Sequence, residues 1–306
     1  MSGAQRIYKQ KIRATETLEK VFRAMELIAA SRIGKARDRA LGQDPYTRAL
    51  TRSIATVASH AREDHPLINE RTDTNRVLVF AITSDRGMAG AYSSSVLREA
   101  DELIEELREK GKDPVIYIAG RRGVSHYNFR NIAIEKSWTG ESDKPDAGTA
   151  AEIGKVFLER FLAPAEEGGV GELYIVYSRY VSMVSQRVTV RRMLPLQIVD
   201  ALDEIELVED PEELREFEQY PLYEFEPSAQ EIFDALLPLY IEHRIYATML
   251  MAAASELASR QQAMHSATQN ARDLIEDYTR LANNARQAEI TTEITEIISG
   301  ADSLGI

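Results

Sequence analysis

The chain has no cysteine among its 306 residues. This absence excludes disulfide bonds, thiolate zinc sites and cysteine nucleophiles. No apolar run approaches the roughly 20 residues that a membrane-spanning helix needs. Positive charge is also scarce, because 37 Lys and Arg face 49 Asp and Glu, which gives a formal net charge of -12. A general nucleic-acid binder needs a basic surface, so this charge balance argues against that class.

A hydrophobic content of 44% with 28% charged residues is typical of a soluble, folded protein. The N-terminus carries Arg6, Lys9 and Lys11 without an apolar core or cleavage site, so no secretory signal is predicted. Because no transit peptide is recognisable and Met1 begins the sequence, we expect a bacterial rather than an organellar protein.

Long helices are predicted at both ends of the chain. From Ala4 to about His60, apolar residues recur at steps of three and four, with a break favoured by Gly-Gln-Asp-Pro at residues 42–45. An Ala-, Met- and Leu-rich pattern of the same period runs from Ser228 to Ser299, where Pro238 comes early. The second helix would be roughly 100 Å long. Its apolar stripe needs a partner, which we expect to be the first helix in an antiparallel coiled coil.

Charge differs between these two helices. Residues 1–60 hold twelve Lys and Arg against five acids, whereas residues 227–306 hold five Arg against eleven acids. The two stretches would attract each other if they lay side by side. A solvated charged face on each helix is the alternative.

Between the helices the hydrophobic period changes. Three short apolar runs at residues 76–83, 114–119 and 173–177 alternate with helical stretches at 93–110 and 148–162, which predicts a Rossmann-like parallel sheet. Residues 181–194 alternate as an added strand at the sheet edge. We therefore predict an α/β fold with four segments. These are a coiled-coil helix (1–60), a Rossmann-like domain (75–200), an acidic connector (201–227) and a second coiled-coil helix (228–306).

Loops that could carry chemistry give weak signals. The turn from Ser84 to Ser93 holds Gly87 and Gly90, but it lacks the third glycine of a dinucleotide fingerprint and any Gly-Lys-Ser/Thr. A tight strand-to-helix turn is therefore favoured over a phosphate site. The five histidines form no metal-spaced pair, and no Gly-x-Ser-x-Gly elbow occurs. No catalytic residue, metal or cofactor is predicted.

The end of the chain is more specific. Residues 286–303 read RQAEITTEITEIISGADS, in which Ile290, Ile294, Ile297 and Ile298 form an apolar stripe ended by Gly300. The polar positions matter more, because Ile290-Thr291-x-Glu293-x-x-Glu296-x-x-x-Gly300-Ala301-x-Ser303 resembles the C-terminal signature of the gamma subunit of F-type ATP synthases. Residues 20–32 (KVFRAMELIAASR), 84–90 (SDRGMAG) and 259–270 (SRQQAMHSATQN) resemble three further segments of that family. The departures are Met88 and Ala89 for Leu-Cys, Ser93 where Asn is common, and Gln261 for Met.

This resemblance implies a non-catalytic central rotor shaft. Such a subunit couples proton-driven rotation of the membrane c-ring to ATP synthesis at the alpha/beta hexamer, and it also contacts the epsilon subunit. The protein would then lie at the cytoplasmic side of the bacterial plasma membrane, held there only through the complex. Two alternatives are a non-rotary coiled-coil tether and a nucleotide-binding α/β enzyme.

Carried over by motif, contacts with the hexamer are expected at Met25, Arg260, Gln287, Thr291 and Glu293. Without the resemblance, Gln287 would be an ordinary helix-surface residue and Met25 a residue of the coiled-coil core.

Overall fold

A computed structural model describes residues 3–42, 44–60, 67–196, 226 and 228–303. They belong to two compact units. We call Met1–Ala30 with Arg260–Ile306 the terminal unit, and Ser31–Ser259 the central unit. Both boundaries fall inside long helices, so each of these helices contributes residues to both units. The predicted acidic connector lies outside the described residues, apart from residue 226.

The elements follow one another in a simple order. The chain begins with α1 (Gly3–Gly42) and α2 (Asp44–His60). Residue 43, within the predicted break, lies outside the described residues. The sheet region contains β1 (Arg76–Ile82), α3 (Tyr92–Glu109), β2 (Asp113–Ala119), α4 (Arg121–Phe129), β3 (Lys136–Trp138), α5 (Ala147–Leu162), β4 (Glu172–Tyr180) and β5 (Gln186–Leu194). The last helix, α6 (Ala229–Ser303), includes Pro238.

The five strands form one sheet in the order β3-β2-β1-β4-β5. The pairs β1–β2, β1–β4 and β2–β3 are parallel, whereas β5 pairs antiparallel with β4 at the edge. The predicted parallel sheet with an added edge strand is therefore confirmed. Sequence reasoning did not find α4 or β3, because α4 is a short polar helix and β3 has only three residues.

Both faces of the sheet are covered, which explains why β1 is apolar throughout. Val77, Val79 and Ala81 pack on one side with residues of α3 such as Val96. The alternate positions Leu78, Phe80 and Ile82 face the other side, where side chains of α2, α5 and the first part of α6 complete a larger core. Burial on both faces produces a continuous apolar run rather than an alternating one.

In the terminal unit, α1 and α6 pack in opposite directions. Glu26 lies 2.9 Å from His265, Glu19 lies 3.1 Å from Arg272, and Lys11 lies over the ring of Tyr278. Residue numbers fall along one helix as they rise along the other, so the predicted antiparallel pairing is confirmed. The charge argument does not describe these contacts, because both pairs place the acid on α1 and the base on α6.

The ends of β1 and β2 approach each other so closely that one position between β2 and α4 requires glycine. Gly120, between β2 and α4, has a φ of 95°, and a Cβ added there would lie 2.1 Å from the carbonyl oxygen of Thr83. Both the backbone conformation and the contact exclude a larger residue.

We expect Gly120→Ala to lower the free energy of unfolding by about 3 kcal/mol or more, since strain and steric overlap add. Gly87→Ala is the matched control, because no atom of the described residues, apart from its chain neighbours, lies within 4 Å of its added Cβ. Urea denaturation followed by circular dichroism would measure both. Equal midpoints for the two variants would contradict this account of the turn.

Candidate functional site

The last turns of α6 expose an apolar stripe. Ile290, Ile294, Ile297 and Ile298 recur on one side of the helix, and Ile297 is 71% exposed. Isolated exposed apolar residues are ordinary, but four exposed isoleucines on one side of a helix are typical of a surface that binds another molecule. We call residues 287–299 the α6 tip.

Polar side chains surround this stripe. The hydroxyl groups of Thr291, Thr292 and Thr295 each donate to the backbone carbonyl four residues earlier, at distances of 2.8 to 2.9 Å. Such bonds keep the hydroxyl protons on the helix itself. The side chains of Gln287, Thr291 and Glu293 are all exposed. Gln287 and Thr291 share a face, whereas Glu293 points to another side, so the tip presents polar groups in several directions.

The other two candidate residues lie in different surroundings. Met25 is half-buried on α1. Arg260 is only 7% exposed, so little of its side chain is available to another molecule. The structure therefore groups Gln287, Thr291 and Glu293 at one end of α6, and it groups neither Met25 nor Arg260 with them.

A second apolar surface lies on α1. Ile7, Leu18, Val21 and Ile28, which belong to the apolar pattern of this helix, are about half exposed, and Leu27 is 61% exposed. Periodicity alone cannot distinguish apolar residues that are buried within the chain from apolar residues that are exposed and available to a partner. Exposed bases such as Lys20 and Arg23 lie among them. The terminal unit thus offers exposed apolar surface on both of its helices.

The glycine-bearing turn after β1 is held by its own carboxylate. Asp85 accepts hydrogen bonds from the backbone N–H groups of Arg121, Gly140 and Ser142, at 2.8 to 3.1 Å. Its side chain is 7% exposed. The N–H of Arg121 begins α4, a position at which phosphate-binding folds place an anion. Asp85 occupies that position, so the tight-turn interpretation is favoured over a phosphate site.

A cleft of about 260 Å³ lies beside this turn, and its lining includes Trp138 and Met249. Of its four carboxylates, those of Asp85, Asp146 and Glu152 have partners among the described residues. Asp146 accepts from the hydroxyl and N–H of Thr149, and these bonds lower the pKa of Asp146. Glu152 accepts from the indole N–H of Trp138. Among the described lining residues there is no Lys or Arg. The bases beside the cleft, Lys136 and Arg121, already lie against Glu152 and Asp85.

Two further classes of site were sought among the described residues. No group of three or more His, Cys, Asp or Glu side chains there could hold a metal ion. Within the same ranges, none of the helices is long and apolar enough to cross a bilayer.

Comparisons with known proteins account for the whole chain. The family model described as ATP synthase matches residues 4–304. A curated ATP synthase gamma chain from Beutenbergia cavernae is 57% identical over 304 residues, covering 99% of each chain. This chain belongs to the family of ATP synthase gamma chains. A further gamma chain, from an Arthrobacter species, is 52% identical with the same coverage.

Solved structures of ATP synthases contain chains with the same fold. The rotor of the Euglena gracilis mitochondrial ATP synthase matches with a TM-score of 0.62 at 16% identity, covering 94% of this chain and 99% of that one. A chain of the Tetrahymena thermophila central stalk and c-ring matches with a TM-score of 0.56 at 20% identity, covering 81% and 99%. At these identities the likeness concerns the fold.

We expect Asp85→Ala to destabilise the central unit by about 1 to 3 kcal/mol, because it leaves the N–H groups of Arg121, Gly140 and Ser142 without their charged acceptor. Asp113→Ala removes a 69% exposed carboxylate and should cost less than about 1 kcal/mol. Guanidinium denaturation of both variants would test this. A small loss for Asp85→Ala would show that the turn does not depend on its carboxylate.

Proposed function

We propose that this protein is the central rotor shaft of an F-type ATP synthase. It couples proton-driven rotation of the membrane c-ring to ATP synthesis at the alpha/beta hexamer. The observation that carries this proposal is the α6 tip, whose exposed isoleucines and motif polar groups require a surrounding partner. Membership of the gamma chain family supports the alpha/beta hexamer as this partner.

The shaft acts without catalysing a reaction itself. An asymmetric pair of helices turning inside a ring of three alpha-beta pairs makes the three nucleotide sites differ at any moment. Rotation then exchanges their states. The chain needs no cofactor for this role, and no Lys or Arg is among the described residues that line the cleft beside Asp85. The enzyme and tether alternatives account for neither the exposed tip nor its motif.

Contacts with the hexamer are assigned to Gln287, Thr291 and Glu293 at the α6 tip. Met25 is assigned to the same interface from α1. Arg260 is included by its motif, although its contact is restricted to the exposed edge of its side chain. The central unit then faces the epsilon subunit and the c-ring. The protein binds the cytoplasmic side of the bacterial plasma membrane only through these subunits.

The apolar stripe can be tested apart from folding. Because Ile297 is 71% exposed, Ile297→Asp should leave the unfolding temperature of the isolated chain nearly unchanged. In the assembled complex it places a charge where an apolar contact is expected, so coupled ATP synthesis in inverted vesicles should fall at least fivefold. Wild-type synthesis by this variant would contradict the assignment of the tip.

The polar contacts predict a milder effect. Gln287→Ala and Glu293→Ala should each reduce coupled synthesis while leaving the helix content of the isolated chain unchanged. Glu102→Ala, an exposed residue of α3, is the control and should keep full activity. Normal synthesis in both tip variants would remove these residues from the interface.

The shaft role itself is tested by assembly. The purified chain, mixed with alpha and beta subunits of a matched F-type synthase, should form a complex with one copy per three alpha-beta pairs. Steady ATP hydrolysis should rise above that of the mixture lacking this chain. Failure to associate would reject the role.

A further inference from the structure

The turn between β4 and β5 carries a pair of positive charges, and one carboxylate, Glu99 of α3, lines the same cleft. Arg179 on β4 and Arg187 on β5 are directly opposite each other in the antiparallel register. Both side chains are exposed. Neither guanidinium has an ion-pair or hydrogen-bond partner anywhere in the described ranges. Like charges in this position destabilise a strand pair, and two arginines beside the single carboxylate of Glu99 leave an excess of positive charge, so a further anion would be favoured.

Apolar side chains lie next to this pair. Val181, Met183 and Val184 form the turn, and Val184 is 79% exposed. Hydrogen bonds from Ser185 to Ser182 hold the turn closed, so these side chains are displayed on an ordered backbone. We call residues 179–187 the cationic hairpin. Its chemistry suits an occupant with several carboxylates and interspersed apolar or aromatic groups.

The sequence of the same chain contains such an occupant. Residues 203–226 hold eleven acids and one Arg, and Leu207, Val208, Phe217, Tyr220 and Phe225 are interspersed among them. This acidic segment lies outside the described residues apart from residue 226. It begins nine residues after β5 ends at Leu194. The hairpin lies about 30 Å from Leu196 along β5. The 22 residues from Leu196 to Glu218 can span up to about 75 Å, which is more than this distance.

We propose that the acidic segment 203–226 docks on the cationic hairpin of its own chain. Carboxylates of the segment pair with Arg179 and Arg187, and its apolar side chains cover Val181 and Val184. Attachment to the same chain raises the effective concentration of the segment to the millimolar range, so weak individual contacts suffice. This inference does not depend on the rotor function.

Other occupants fit less well. A bilayer surface is uniformly anionic over a wide area, and a chain of net charge -12 would be repelled from it beyond its two arginines. A second copy would have to bring its own acidic segment from solution, without the advantage of attachment.

The absence of cysteine makes a direct test possible. Val184→Cys introduces one thiol at the exposed turn, and benzophenone maleimide attached to it captures whatever lies against the hairpin on illumination. With the purified full-length chain, we expect cross-linked peptides from residues 203–226 of the same molecule, at a yield independent of protein concentration. Screening by 0.5 M salt should lower the yield, since the paired groups are at the surface.

Matched variants separate charge pairing from mere proximity. Arg179→Gln with Arg187→Gln should lower the cross-linking yield at least fivefold, and so should Glu212→Gln, Glu213→Gln and Glu216→Gln together. Arg86→Gln with Arg108→Gln removes two other exposed charges and should leave the yield unchanged. Circular dichroism checks that every variant is folded. Cross-links to another part of the chain, to a second copy, or insensitive to the hairpin arginines would overturn the proposal.

Discussion

The packing of α6 against one face of the sheet is the interaction on which the central unit depends. Phe233, Leu237, Ile241 and Ile245 of α6 are completely buried in the larger core. A parallel sheet must be covered on both faces, and crossover helices usually provide the cover. Here β4 joins β5 through a tight hairpin, which supplies no crossover helix at that edge. A helix from a later part of the sequence closes the core instead.

This arrangement gives α6 two different tasks along its length. Its first part is a core element of the central unit, with an apolar face fixed by the sheet. Its last part belongs to the terminal unit, where α1 covers small residues such as Ala271 and Ala282 and the isoleucines beyond stay exposed. The same helical period runs through both parts, so periodicity does not show where the core segment ends and the segment of the terminal unit begins.

The ion pairs of the terminal unit show the limit of arguments from summed charge. α1 is basic and the last part of α6 is acidic, yet Glu19 and Glu26 of α1 pair with Arg272 and His265 of α6. Which charges meet is decided by the few residues beside the seam between two helices. Bases of α1 such as Lys20 and Arg23 lie away from it and face solvent.

Sequence reasoning found the elements with strong patterns. The buried strands β1, β2 and β4 are apolar, β-branched runs, and the long helices keep their period over many turns. It did not find α4, because a polar helix begun at Gly120 and anchored by Asp85 depends on contacts distant in sequence. For the same reason the burial of Arg260 could not be predicted from its motif. The exposed tip with Gln287, Thr291 and Glu293 could be predicted, because the helical pattern of α6 continues beyond the end of its partner helix.

The threonine hydroxyl groups of the α6 tip donate their protons within the helix, and this limits which groups of a partner can bind there. From Thr291 to Ile298 the side chains are threonine, glutamate or isoleucine, and all three hydroxyl protons are already donated to the helix backbone. This stretch can accept hydrogen bonds from outside but has no free side-chain proton to offer. A partner surface around this stretch must therefore provide N–H groups or positive charge opposite the oxygens. It must provide apolar side chains opposite the isoleucines. Where the partner surface presents carbonyl oxygens, no side-chain hydrogen bond can form between the two surfaces.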